Sequence, residues 1–199
     1  YESLNFGGYW AWDPVENASL VPWIVMLAGL HTLMIYKSAG YSLKSTLVFF
    51  IFSFILILYS TFLTRTGILG DTSVHAFTGE GSSLFYHLLI FMFLFLGFAL
   101  GLFFFNYKNI PDVKKEEEAL SSREFWMFIG ALVMMISVIQ ITYTTSMPVW
   151  NKMFGTKLTV TDPVSHYNKI QIWLTLLILL GTSTIYYFKF KSSSMKEVA

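Results

Sequence analysis

Long apolar runs separated by short polar stretches make up most of the chain. Five of these runs come close to the roughly 20 residues that span a bilayer core; they occupy 21–36, 43–63, 84–105, 125–143 and 170–188. Their lengths and their lack of alternation exclude barrel strands. Because backbone groups in a bilayer must be hydrogen-bonded internally, helices are the expected form. The pattern predicts an all-α fold, a polytopic integral membrane protein with about five transmembrane helices.

The same pattern divides the chain into membrane and loop segments. We expect a dense polar and aromatic motif at 1–20, two helices at 21–63, a loop at 64–83, two helices at 84–145 with a hydrophilic linker near 106–124, a loop at 146–169, and a last helix with its tail at 170–199. Ser121 or Ser122 is expected to cap the helix that follows the linker.

The distribution of basic residues predicts which loops lie on which side of the membrane. Nine of the 13 Lys and Arg residues fall on the side of the 106–124 linker and the tail, and four fall on the opposite side. The positive-inside rule assigns the richer side to the cytoplasm. The motif at 1–20 and the loops at 64–83 and 146–169 are therefore expected to face outward.

The amino-acid composition excludes several kinds of site and partner. The chain is 55% hydrophobic and 13% charged, against about 25% charged in a typical soluble domain. A net charge of +1 gives no reason to expect a nucleic-acid partner, and the absence of cysteine excludes disulfides, thiolate metal sites and cysteine nucleophiles from these 199 residues. The chain begins with Tyr1 beside a dense motif and has no signal-peptide pattern. We therefore expect a fragment or a split subunit of something longer.

Two of the four histidines are candidates for function. His31 lies ten residues past Val21, which places it ~15 Å into the membrane at the rise of a helix. An ionisable group at that depth is by default a functional hypothesis, although a neutral imidazole bonded to a neighbouring helix would explain it equally well. His75 lies in the predicted outer loop, where a plain surface histidine is the alternative; His87 and His166 are interpreted as interfacial.

The stretch "GGYWAWDPVENAS" at 7–19 is unusual for a membrane chain. Asp13 precedes a proline and so disfavours helix, and it predicts an N-cap with Pro14 at the first helical position and Glu16 at the third. Before this start, glycines allow close backbone approach and Tyr9, Trp10 and Trp12 offer flat apolar faces. The stretch is either a simple interfacial start of a helix or a platform for a large, flat, apolar ligand.

At these residues the chain resembles the heme-handling membrane proteins of cytochrome c maturation, which carry a tryptophan-rich WWD motif. The motif reads "FGGYWAWDPVENASLVPW" here, at 6–23. Three further stretches favour the CcmF type over the CcsA type: "LAGLHTL" at 27–33, "TFLTRTGIL" with "SVHAF" within 61–77, and "HYNKIQIWLTLLILLG" at 166–181. One departure is Phe6, which stands where the family has its first Trp and which keeps an aromatic face but lacks the indole N–H.

The resemblance implies two hemes. His31 matches an axial ligand of a b-type heme within the membrane, and His75 matches an axial ligand of the substrate heme on the WWD surface. The second ligand of each heme lies, in the family, outside the matched region. The implied heme platform comprises Gly7, Gly8, Tyr9, Trp10, Trp12, Asp13, Pro14, Glu16 and Asn17. Arg65 is a candidate partner for a heme propionate, with a lipid-headgroup anchor as an equal alternative.

The resemblance also implies an activity and partners. Heme would be presented in reduced form for thioether attachment to the cysteines of apocytochrome c, as part of a heme lyase complex, and no catalytic residue is assigned in this chain. Expected partners are apocytochrome c, a heme chaperone, thiol-reducing or lyase subunits, quinol as electron source, and the bilayer. The expected location is the bacterial inner membrane with the motif facing the periplasm. The alternatives are a heme exporter or another membrane transporter subunit with a buried histidine relay.

Overall fold

The computed structural model describes residues 9–70, 72–73, 75, 82–111, 113 and 120–190. Within these ranges the protein has six helices and no strand. The helices are α1 (Pro14–Ala39), α2 (Leu43–Arg65), α3 (Ser82–Asn106), α4 (Arg123–Thr145), α5 (Met147–Phe154) and α6 (Pro163–Ile185). All except α5 are long and apolar enough to cross a membrane. The predicted all-α, polytopic class is confirmed.

The last spanning helix and the loop before it differ from the prediction. The helix starts at Pro163 rather than at 170 and ends at Ile185 rather than at 188. Asp162 caps it by accepting a hydrogen bond from the Ser165 N–H at 3.0 Å, so several polar residues form its first turns. The predicted outer loop also contains the eight-residue helix α5, which is too short to give a clear signal in the apolar pattern.

Helix α1 is the centre of the bundle. It packs against both α2 and α4, while α3 contacts α2 and α6 contacts α4. Val25 and Ala28 on α1 are fully buried, and on α4 Ile141 is as well. Between α1 and α2 the approach is so close that a Cβ on Gly29 would lie 3.1 Å from the Phe49 Cβ. By contrast, no residue in the apolar span of α3 is buried in this chain.

Polar side chains join the helices inside the apolar bundle. The Ser53 hydroxyl of α2 donates to the carbonyl of Pro22 in α1 at 2.9 Å. Gln171 of α6 accepts from the Ser137 hydroxyl and donates to Gln140, both on α4 and both at 2.6 Å. In an apolar medium such bonds fix one helix against another because the groups have few other partners.

Candidate functional site

The aromatic segment before Asp13 leads into α1 through a complete capping box. The Asp13 carboxylate accepts from the Val15 N–H at 2.9 Å, and the Glu16 carboxylate accepts from the Asp13 N–H at 3.2 Å. Glu16 also accepts from the Ala11 N–H at 3.1 Å. The predicted helix start, with Asp13 as N-cap, Pro14 at the first position and Glu16 at the third, is confirmed. Both carboxylates thus have a structural task before any ligand is considered.

Trp12 anchors the motif to α6. Its indole N–H donates to the Asn168 side chain at 3.0 Å, and its ring stacks on Tyr167 with centroids 4.8 Å apart. The backbone at Trp12 has a φ of 56°, an unfavourable conformation for a bulky residue. The buried Asn17 side chain stabilises it by donating to the Trp12 carbonyl at 3.0 Å. One face of Trp12 is therefore covered by the protein itself.

The two aromatics before Trp12 are presented outward. Tyr9 is 93% exposed and Trp10 is 40% exposed, with the Trp10 ring set edge-on to Trp12 at 5.8 Å. Gly7 and Gly8 of the predicted platform lie outside the described residues. The described part of the motif thus consists of an anchored indole and an exposed aromatic pair.

His75 lies beside the cap of α1. Its Nδ1 is 3.4 Å from the Asp13 carboxylate. The Ser73 hydroxyl donates to the same carboxylate oxygen at 2.6 Å and accepts from the His75 N–H at 3.1 Å. The fold thus brings together a loop histidine and the aromatic motif, which are far apart in the chain.

An open cavity of about 500 Å³ lies next to Trp12. Tyr167 lines one side, and residues from the loop after α2 and from α5 line the others, among them Thr66 and Lys152. Arg65, exposed at the end of α2, directly precedes this lining. The cavity cannot be predicted from the apolar pattern, because α5, which forms part of its wall, is too short to give a clear signal there. Tyr167 and Asn168 lie in the stretch at 166–181 that carries the family resemblance, but that stretch alone does not reveal their contact with Trp12.

His31 lies on α1 within the spanning region, on a different segment from His75. Its Nδ1 is 2.8 Å from the Leu27 carbonyl oxygen. Since a carbonyl can only accept, this contact places the proton on Nδ1 and leaves the lone pair on Nε2. A Cβ on Gly130 of α4 would lie 3.9 Å from that Nε2, so the nitrogen faces a position where α4 carries no side chain.

The described histidines and carboxylates do not form a metal cluster of three or more. His166, interpreted as interfacial, lies with its Nε2 3.2 Å from the Thr144 hydroxyl, at the junction of α4 and α6. His31 and His75 lie on different segments and are separate candidates.

The fold and the site define a polytopic membrane protein with an aromatic, histidine-bearing surface at one end of its bundle. Residues 1–69 match the family model described as cytochrome C assembly protein. The chain is 34% identical to the cytochrome c-type biogenesis protein CcmF of Pseudomonas fluorescens over 98% of its own length, and 32% identical to CcmF of Escherichia coli K12 over 93%. It belongs to this family of cytochrome c-type biogenesis proteins.

A further relative, the cytochrome c-type biogenesis protein NrfE of Haemophilus influenzae, is 45% identical over 52% of the chain. The chain spans less than a third of the length of these relatives: 29% and 28% of the two CcmF proteins and 16% of NrfE. No solved structure gives a significant match.

Proposed function

We propose that this chain carries the heme-presenting surface of a cytochrome c maturation protein. Reduced heme would lie against the WWD motif at the outer membrane face and be attached there to apocytochrome c. The observation that carries the proposal is the contact of His75 with the capping carboxylate of the motif, 3.4 Å from Asp13. It brings an axial-ligand candidate to the same end of the bundle as the exposed Tyr9 and Trp10.

The residues present fit the outer heme. Large aromatic rings offer stacking surface to a flat macrocycle, and imidazole is a ligand that heme iron accepts. In this arrangement Tyr9 and Trp10 would hold the porphyrin, while Trp12 keeps the motif in place through Tyr167 and Asn168. Arg65 is proposed to pair with a propionate from the end of α2.

His31 fits a ligand of a second, b-type heme inside the membrane. Histidines that bind metals usually donate their other ring N–H to a carbonyl or carboxylate, which fixes the tautomer. His31 does this toward Leu27 at 2.8 Å, and its Nε2 faces Gly130. A heme at this depth would connect the outer site to an electron donor such as quinol.

The chemistry of attachment would come from heme vinyl groups and the two thiols of the apocytochrome c segment, since this chain has no cysteine. What the described residues supply is position: an aromatic surface, a nitrogen ligand, and a fixed orientation toward the outer face. Holding reactants in the reactive geometry is by itself a large part of catalysis. A heme chaperone and thiol-reducing or lyase subunits would complete the assembly in the bacterial inner membrane, with the motif toward the periplasm.

The test is maturation of cytochrome c by the full-length protein carrying His75→Ala, measured by heme staining of the cytochrome after denaturing electrophoresis. We expect the covalent heme signal to fall at least tenfold. His87→Ala is the matched control, since His87 is an exposed histidine at the start of α3, and it should mature cytochrome c normally. Normal maturation by His75→Ala would contradict the proposal. Heme movement across the membrane without covalent attachment would favour the exporter alternative.

A further inference from the structure

The contacts around His75 indicate that neighbouring residues hold this histidine in position. Within the described residues, two side chains from the loop after α2 approach one oxygen of Asp13: Oδ1 lies 2.6 Å from the Ser73 hydroxyl and 3.4 Å from His75 Nδ1. Asp13 is mostly buried, with 11% of its side chain exposed. The same oxygen accepts from the Val15 N–H, so the carboxylate is held at the N-cap of α1.

We propose that Asp13 and Ser73 are positioning residues that hold the His75 imidazole for the outer heme, a proposal that rests on the function proposed above. Ser73 has two contacts, because its hydroxyl donates to Asp13 and accepts from the His75 backbone N–H at 3.1 Å. The backbone of the histidine is thereby tied to the cap of a spanning helix, although the residue itself lies in a loop.

The Asp13 carboxylate also faces the imidazole ring of the histidine. A carboxylate can only accept, so a hydrogen bond from the ring to Asp13 would use Nδ1 as the donor and leave Nε2 for the iron. At 3.4 Å this contact is longer than a good hydrogen bond, and such bonds commonly shorten when the bound state forms. Residues that orient a metal-binding histidine in this way hold its ring in the geometry that the metal needs.

The Asp13 side chain would then have two roles. The first is to cap α1, which any good capping residue can do. The second is to present a negative charge to the ligand imidazole, which Asn cannot do. Asp13→Asn separates the two roles because Asn is as good an N-cap as Asp while it carries no charge.

The experiment uses the purified full-length protein with Asp13→Asn, Ser73→Ala and the conservative Ser73→Thr. The readouts are the heme affinity of the apoprotein by titration and the midpoint potential of the outer heme by spectroelectrochemistry. Asp13→Asn should raise that potential, since a neutral partner no longer favours the oxidised iron. Ser73→Ala should weaken heme affinity at least ~10-fold, in the range found for outer-shell partners of metal ligands, and Ser73→Thr should restore it.

A control variant and the His75→Ala variant distinguish failure of the positioning role from failure of the proposed function. Thr61→Ala, which removes a hydroxyl that donates to the Ile57 carbonyl of its own helix, should leave both readouts unchanged. If His75→Ala removes the outer heme while Asp13→Asn and Ser73→Ala leave its potential and affinity unchanged, the positioning role is wrong and the proposed function stands. If His75→Ala itself leaves the heme in place, the proposed function fails first. Should Asp13→Asn not fold, Ser73→Ala decides, because it leaves the cap intact.

Discussion

At the scale of single residues, two kinds of contact hold the start of α1 in place. Asp13, Pro14 and Glu16 make a capping box within one turn, as Ser122 caps α4 by accepting from the Phe125 N–H at 3.2 Å. Trp12 joins opposite ends of the chain, because its ring stacks on Tyr167 of α6.

Trp12 gives a prediction that separates anchoring from ligand contact. Trp12→Phe keeps a ring for Tyr167 but removes the hydrogen bond to Asn168, and a net loss of about 1 kcal/mol is expected for such a bond. Trp12→Ala also removes the ring and should cost about 3 kcal/mol or more. Thermal unfolding of the detergent-solubilised full-length protein measures both.

The control is Trp126→Phe, which removes an indole bond to the Leu120 carbonyl at an exposed site and should change the unfolding temperature less. If Trp12→Ala were as stable as the parent protein, Trp12 would not be an anchor, and all three aromatics of the motif would be available to a ligand.

At the scale of helices, apolar length predicts the spanning elements but not all of their ends. The apolar run of α2 matches the observed Leu43–Arg65 closely, whereas α6 begins well before its apolar residues do. Its first turns carry polar groups such as Tyr167, which is buried against Trp12 and Thr145. A pattern of apolar residues cannot indicate such turns, because their polar atoms are satisfied by partners distant in sequence.

The close approach of α1 and α2 gives a prediction at this scale. A Cβ on Gly29 would lie 2.8 Å from a Phe50 ring carbon and 3.1 Å from the Phe49 Cβ. Gly29→Ala should therefore force the helices apart and destabilise the protein by roughly 1–3 kcal/mol, the usual cost of overpacking. Thermal unfolding again provides the measurement.

Gly97→Ala on α3 is the matched control, since an added Cβ there meets nothing within 4 Å of the described residues. It should be neutral or slightly stabilising because Ala is the better helix former. Equal unfolding temperatures for the two variants would show that the α1–α2 contact tolerates a methyl group.

At the scale of the whole molecule, the distribution of basic residues predicts how the protein is oriented in the membrane. The packing of the helices does not test this prediction. Single cysteines can report this orientation in the full-length protein, since these 199 residues contain none and any cysteine elsewhere in the protein can first be replaced. Thr156→Cys in the segment after α5 should react with a membrane-impermeant maleimide in spheroplasts. Asn106→Cys at the end of α3 should react only after the membrane is opened; the opposite result would invert the topology and place the WWD motif inside.

One part of the candidate site, the approach of His75 to Asp13, cannot be predicted from the sequence. The depth of His31 follows from its position in an apolar run, but the approach of His75 to Asp13 depends on how the loop after α2 closes over the start of α1. That closure rests on the Ser73 contacts, which no periodicity encodes. The family resemblance assigned His75 a role, and the structure adds neighbours through which the role can be tested.

We propose that His31 and His75 serve two different hemes. The most direct measurement is the reduced-minus-oxidised optical spectrum, with heme content per protein, of the purified full-length protein and its His31→Ala and His75→Ala variants. We predict that His31→Ala loses the membrane heme, that His75→Ala loses the outer heme, and that each variant keeps the other signal. Normal spectra and full heme content in both variants would contradict the account.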